Sequence, residues 1–572
     1  MAHRGWLVAF GLAACRSEAA VMPAVADVGS GLDLAAPAEV SEAQPVAGKP
    51  VAWQACARFS DSGQGAAQCR AWTLPLAPTE LDGRTIEIFV KRVPASAPRR
   101  GMVWLLAGGP GGAGDDLEWL ADALSYHLPD LDIYLPDHRG TGRSSRLGCA
   151  AEGLATPGGR RILDAEWPAC WRELQSTWGD GLAWFQPDAA AVDLQTLIDA
   201  NRQPGDGLYV YGGSYGTYWA LRWLALQPPH VDGVVLDGVC PPGHCWLAPY
   251  DSQFDGAVHA LLDRCAEDAS CAAEFGPNPW LRARSVLAGL DRGRCQAIQQ
   301  QGLDRRRLRH LLGMLLTDVA LRGYIPAVLR RVERCTDADV AALTRLLGHF
   351  PPLDAAIGGA PMLQSAVLSG HVLASELFSP IPLPVDEIDD RADRALASLD
   401  RAPRVARWQT RWPRYQPPAN VDWPVTDARL LLLAGTLDPQ TPLTLLAPIL
   451  PRLHGPQRLE VLPGAAHGTV RQSPVDDADA SCGLQLLVAF LQGRDDRSCV
   501  QHLLPVTFGG TPKLTALLLG TTSPWLPLPV SMPPEPLIPG ADLPATRAWD
   551  TDDQALCAAP GSDAAKSRPD PR

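Results

Sequence analysis

Lysine is nearly missing from this chain: four of its 50 basic residues are lysines and the rest are arginines. Such a skew reads as genomic bias towards arginine, not as function. Acidic residues number 63, which leaves a net charge of −13 at pH 7. Binding a phosphate backbone needs clustered positive charge, so a nucleic-acid partner is excluded. No cysteines stand in a paired CxxC or comparable ligand spacing, so no metal centre is expected, and no cofactor. Beyond about residue 506 there is no unbroken apolar run of 18 residues, hence no transmembrane helix in that stretch. What is present, 46% hydrophobic and 20% charged residues, describes a soluble globular protein. A chain of 572 residues accommodates a catalytic domain of about two to three hundred residues, one sizeable insertion and flexible ends.

The N-terminus predicts export. His3 and Arg4 precede an uncharged stretch, Gly5 to Ala14, that ends in Leu12-Ala13-Ala14-Cys15. A basic segment, a short apolar segment and small residues at a cleavage point compose a secretory signal. Leu-Ala-Ala-Cys resembles the bacterial lipobox, which implies a lipid on Cys15 and a membrane anchor through that lipid alone. An ordinary signal cut after Ala20 is the alternative. Fourteen cysteines are many for a cytosolic enzyme. Twelve fall as near neighbours: Cys56/Cys69, Cys149/Cys170, Cys240/Cys245, Cys265/Cys271, Cys295/Cys335 and Cys482/Cys499; with Cys15 lipidated, Cys557 alone is left over. Spacing does not fix connectivity, but it points to an oxidising compartment: periplasm, cell envelope or the outside.

Organisation follows from the hydrophobic pattern. Residues 1–15 form the signal segment and 16–50 an Ala/Pro-rich tether. Alternation over Thr85–Val93 predicts a half-buried strand. Short apolar runs then recur at Met102–Ala107, Ile133–Leu135, Leu208–Tyr211 and Val231–Leu236, with helix-like Ala189–Ala200 and Tyr215–Leu226 between them. Buried strands alternating with helices predict an α/β fold with a mostly parallel sheet. The core is expected over 51–239 and again over 426–505, where Leu430–Ala434 and Leu459–Leu462 resume the strand pattern. A mostly helical insertion, 240–425, divides it. A Pro/Leu-rich tail, 506–572, is expected to run extended over the surface or to be partly disordered.

The chemistry centres on Gly212-Gly213-Ser214-Tyr215-Gly216, between a strand and a helix. A serine on so sharp a turn presents its Oγ at the sheet edge over a helix N-terminus, and small residues let the turn close. Ser214 is therefore the predicted nucleophile, and the Tyr215 N–H one oxyanion donor. Tyr215, Trp219 and Trp223 share one helix face and are expected to pack on the sheet. Gly108-Gly109-Pro110-Gly111-Gly112 follows the strand Met102–Ala107 and carries neither GxGxxG nor a GK[ST] ending. Gly109 is the favoured second donor, with Gly108 the alternative. Asp438 and His467 each follow a later strand, in the chain order Ser, Asp, His that this fold imposes. Asp237, closing the strand Val231–Leu236, is the rival acid. His138 is expected to be structural.

Together these elements resemble the prolyl and tripeptidyl aminopeptidase group of α/β-hydrolases. The resemblance rests on the glycine loop, on Asp137-His138-Arg139-Gly140-Thr141-Gly142-Arg143-Ser144, on the Ser214 motif, on the Asp438 and His467 loops, and on the run from Ser481-Cys482 to Cys499. It spans roughly residues 50–505 and is weakest in the insertion. It implies a serine exopeptidase with a helical cap, releasing proline or a short peptide from a free N-terminus. Ser375-Glu376 resembles the group's Cys-x-Glu cap element, which implies Glu376 as anchor for the substrate amine. Ala107, Ala374 and His138 depart from the group at positions where His or Asn, Cys and Gln are common. A carboxylesterase or lipase on the same fold, and a non-catalytic binding lipoprotein, are the competing expectations. Oligomeric state is not legible.

Overall fold

The computed structural model describes residues 52–57, 66–78, 83–153, 155–158, 162–350, 363–417, 423–476 and 480–525. The signal segment, the tether, Cys15, Cys557 and the end of the tail lie outside them.

One sheet of nine strands organises the molecule: β1 (Gln54–Ala57), β2 (Ala66–Pro75), β3 (Thr85–Val93), β4 (Gly101–Leu106), β5 (Leu131–Pro136), β6 (Gly207–Gly213), β7 (Gly233–Asp237), β8 (Arg429–Gly435) and β9 (Gln457–Leu462). Their spatial order is β1-β2-β3-β5-β4-β6-β7-β8-β9. β1 to β3 form an antiparallel meander whose last strand joins β5 antiparallel. From β5 to β9 every pairing is parallel. Every residue of β4, β5 and β7 is buried, as strands covered by helices on both faces must be, which is why they read as continuous apolar runs. The chain winds outward from β4 to β5, then returns to place β6 on the other side of β4. That reversal opens a crevice at the strand C-termini, where α/β sheets hold their sites.

Helix Pro187–Asn201 leads into β6 and helix Tyr215–Leu224 leaves it, close to the expected spans. Between β7 and β8 the described chain is helical from Tyr250–Glu267 to Arg401–Gln409 and contains no strand. This insertion presses on the sheet edge. Ser365 donates its N–H to the Gly111 carbonyl at 2.9 Å, and Gly142 donates to the Leu363 carbonyl at 2.7 Å. All six neighbouring cysteine pairs are disulfides, three of them inside the insertion. Six such bonds mark a protein exported to an oxidising setting. No helix among the described residues is long and apolar enough to cross a membrane.

The start of the tail differs from its expected extended course. Pro512–Leu519 is a helix with Leu518 and Leu519 buried, packed on helix Asp337–His349 of the insertion. Leu514 and Leu518 stand four apart and share one face, a helical signal that the surrounding prolines obscured. Beyond it, Arg331 donates to the Pro524 carbonyl and Arg334 to that of Trp525, each at 3.0 Å.

Candidate active site

Ser214 stands between β6 and its helix with φ 53° and ψ −123°, a conformation that side-chain-bearing residues rarely adopt. The neighbouring glycines make it possible. A Cβ on Gly212 would lie 2.4 Å from the Gly216 oxygen, and one on Gly216 would lie 2.1 Å from the Leu106 oxygen. The turn is pinned by the Ser214 N–H, which donates to the Asp237 carbonyl at 2.8 Å. Tyr215 opens the helix, so its N–H has no partner within that helix. Tyr215, Trp219 and Trp223 are buried; the first two rings lie against His138, and the Trp223 indole N–H donates to Gln195 of the helix before β6 at 2.8 Å.

The glycine loop closes over the serine. A Cβ on Gly108 would lie 3.1 Å from the Ser214 Cβ, and Gly109 takes φ 119°, open to glycine and strained for other residues. Gly109, Pro110, Ser214 and Tyr215 line one cavity. Gln440 and Thr441 complete its sheet side, and the insertion supplies Trp246, Tyr250, Leu373, Leu377 and Arg401.

Asp438 and His467 meet, Nδ1 lying 2.9 Å from Oδ2, both side chains buried. The carboxylate is fully occupied. Its Oδ1 accepts the N–H groups of Gln440 (2.8 Å) and Thr441 (3.0 Å), and its Oδ2 accepts the Thr441 hydroxyl at 2.8 Å. Burial pushes its pKa up, but the His467 ring and the Thr441 bonds outweigh that and hold it below the ordinary aspartate value. Gly238 (φ 64°) lies against the imidazole: a Cβ there would sit 3.2 Å from Cε1 and Nδ1. The ring thus rests on the residue after Asp237, whose carbonyl holds Ser214.

The rival acid, Asp237, points elsewhere. Its carboxylate accepts from the Thr469 N–H (2.8 Å) and hydroxyl (2.5 Å), the Val470 N–H (3.0 Å) and the Tyr211 hydroxyl (3.1 Å). It ties down the loop just past His467. His138 is buried, its Nδ1 2.8 Å from the Arg139 carbonyl, and burial pushes its pKa down to about 4. It is therefore neutral at pH 7.

Glu376 is not among the residues lining the cavity. It sits in a π-helical turn, Leu373–Leu377, whose end residues do line it. Its carboxylate accepts the Tyr218 hydroxyl on one oxygen and the Tyr415 hydroxyl, at 2.8 Å, on the other. Burial raises its pKa, more than these hydroxyls lower it. Trp246, Tyr250, Gln440, Thr441 and Arg401 of the cavity wall went unread in the sequence. Thr441 carried a signal, an Asp-x-x-Thr turn directly after the acid; Arg401 carried none, being brought in from the far end of the insertion.

Residues 102–259 match the family model for the alpha/beta hydrolase fold. No curated protein sequence matches the chain. Solved structures similar to it include a thermostable carboxyl esterase from Bacillus coagulans (14% identity, TM-score 0.31, covering 74% of this chain and 98% of that one). Epoxide hydrolase A from Mycobacterium thermoresistibile (17%, TM-score 0.30, 74% and 98%) and proline iminopeptidase from Mycobacterium smegmatis (14%, TM-score 0.30, 70% and 92%) are also similar. Sheet order, the serine turn and the family match over residues 102–259 agree: the chain has the α/β-hydrolase fold.

Proposed function

We propose that the chain is a serine peptidase that cleaves short peptides through an acyl-enzyme on Ser214. One observation carries the reading: the strained Ser214 turn lies on the cavity wall, one backbone hydrogen bond from the β7 end on which the Asp438-held imidazole rests. With Nδ1–H donated to Asp438, Nε2 is the base. It takes the Ser214 proton as Oγ bonds to the scissile carbonyl carbon, and the N–H groups of Gly109 and Tyr215 stabilise the oxyanion. His467 then protonates the leaving amine as the C–N bond breaks. Water, deprotonated by the same nitrogen, releases the acid and restores the serine.

The finer reading, release of proline or a short fragment from a free N-terminus, rests on the motifs shared with prolyl and tripeptidyl aminopeptidases. Capture of an ammonium by Glu376 would use the lone pairs its oxygens keep beside the Tyr218 and Tyr415 hydroxyls, and would need access from the cavity, which Glu376 does not line. The apolar wall of Trp246, Leu247, Leu373 and Leu377 favours carboxylesterase activity as the second reading. Fluorogenic Pro-, dipeptidyl- and tripeptidyl-amides, each with and without an N-acetyl block, separate these. Faster turnover of free than of blocked amides supports an aminopeptidase; turnover of esters alone defeats peptidase function. No labelling of Ser214 by a fluorophosphonate leaves a binding protein.

A further inference from the structure

Behind the loops that carry Asp438 and His467, two arginines of the insertion converge on Gly464. Arg264, in helix Tyr250–Glu267, donates to the Thr436 hydroxyl at 3.1 Å, and that hydroxyl accepts the Gly464 N–H at 2.8 Å. Arg322 donates from Nη2 to the Gly464 carbonyl. A Cβ on Gly464 would lie 3.3 Å from Arg264 Nη1 and 3.9 Å from Arg322 Nη2. We infer that these two guanidinium groups hold a small anion of chloride's size, in a binding site separate from the Ser214 cavity, which neither arginine lines.

The unmet donors carry the inference. Arg322 is 3% exposed, yet among the described residues its Nε and Nη1 have no hydrogen-bond partner. A buried guanidinium so short of acceptors is costly. The charge balance points the same way. Asp318 attracts Arg322, but it accepts the Ala320 N–H at 2.7 Å and faces Arg471 as well. Repulsion from Arg264 outweighs that attraction and, after burial, helps pull the Arg322 pKa down to about 10. The group therefore keeps its charge at pH 7. A bridging water would supply an acceptor and no charge. A monovalent anion supplies both, accepting from Arg322 Nε and Nη1 while facing Arg264. Val506 limits its size, with Cγ2 3.7 Å from the same Cβ position. Gly464 stands three residues before His467 and Thr436 two before Asp438, so the ion braces both loops.

Thermal melts in which chloride replaces methanesulfonate, at fixed ionic strength and pH, test this. The wild-type midpoint should rise by roughly 1–2 °C for each tenfold in chloride above half-saturation. In Arg322→Gln the rise should vanish. Wild-type crystals soaked in bromide should show anomalous density beside Arg322 Nε and Nη1. A wild-type midpoint indifferent to the exchange overturns the inference, and so does a rise that persists undiminished in folded Arg322→Gln. Should that variant not fold, Arg264→Gln takes its place and is read in the same way. Bromide density only elsewhere, or beside Arg322 without the melting shift, means an adventitious ion only and also overturns it. No readout here depends on Ser214, so failure of the anion site and failure of the proposed activity are told apart.

Discussion

The carboxylate of Asp237 holds the backbone N–H groups of Thr469 and Val470 at 2.8 and 3.0 Å, two and three residues past His467. Two aspartates thus serve one histidine, Asp438 through the ring and Asp237 through the loop that carries it. Their substitutions should separate. Asp438→Asn leaves a shape-preserving amide but disturbs the tautomer, and kcat should fall by about 10⁴-fold with melting little changed. Asp237→Asn trades a carboxylate oxygen for an N–H that faces donors. It should cost about 1–3 kcal/mol of stability with a smaller loss of kcat. Thermal melts and steady-state rates on both variants decide it, and equal kcat losses would remove the distinction.

The Ser214 turn predicts a stability gain at the expense of activity. At φ 53° a Cβ is strained and glycine is not. Ser214→Gly should therefore raise stability by about 1–3 kcal/mol while eliminating turnover, whereas Ser214→Ala should eliminate turnover with the strain kept. Denaturant titration of the two variants against wild type reads the difference. Equal stabilities of the Gly and Ala variants would count against stored strain.

How much of this was legible depends on whether the signal was local. β4, β6 and β8 announce themselves because burial on both faces makes them continuous apolar runs, and Ser214, Asp438 and His467 each sit in short motifs directly after a strand. β1 and β2 went unread: β1 is the edge strand and β2 its neighbour, both rich in Ala and with no run of β-branched residues. The environment of Glu376 was out of reach for another reason. Tyr218 and Tyr415 approach it from 158 and 39 residues away, and no spacing rule connects such positions.

The helix Pro512–Leu519 should be part of the cooperative unit and not an appendage. Leu519 is fully buried, and the Leu517 carbonyl accepts from Arg345 at 2.8 Å. Leu519→Ala should cost about 2–5 kcal/mol, the usual range for emptying a leucine site in a core. A single melting transition shifted as a whole would bear this out; an unchanged midpoint would mean the tail folds separately.

Glu376 makes a prediction about pH. Its folded pKa lies above the ordinary glutamate value because burial penalises the charged form. Between those two values the folded chain holds a proton that the unfolded chain has released, so stability falls as pH rises through that window. Glu376→Gln has no such proton. Relative to this variant, the wild type should be most favoured below the ordinary glutamate value, then lose ground as pH rises until the folded group has ionised. Calorimetric melts of both proteins across mildly acid to neutral pH trace the difference. A difference that grows with pH would mean that the Tyr218 and Tyr415 hydroxyls outweigh burial. The same variant bears on the substrate amine: a carboxylate that only bridges two tyrosines leaves the ratio of free to N-acetylated substrates unchanged when it becomes an amide. A collapse of that ratio would instead place Glu376 against the ammonium.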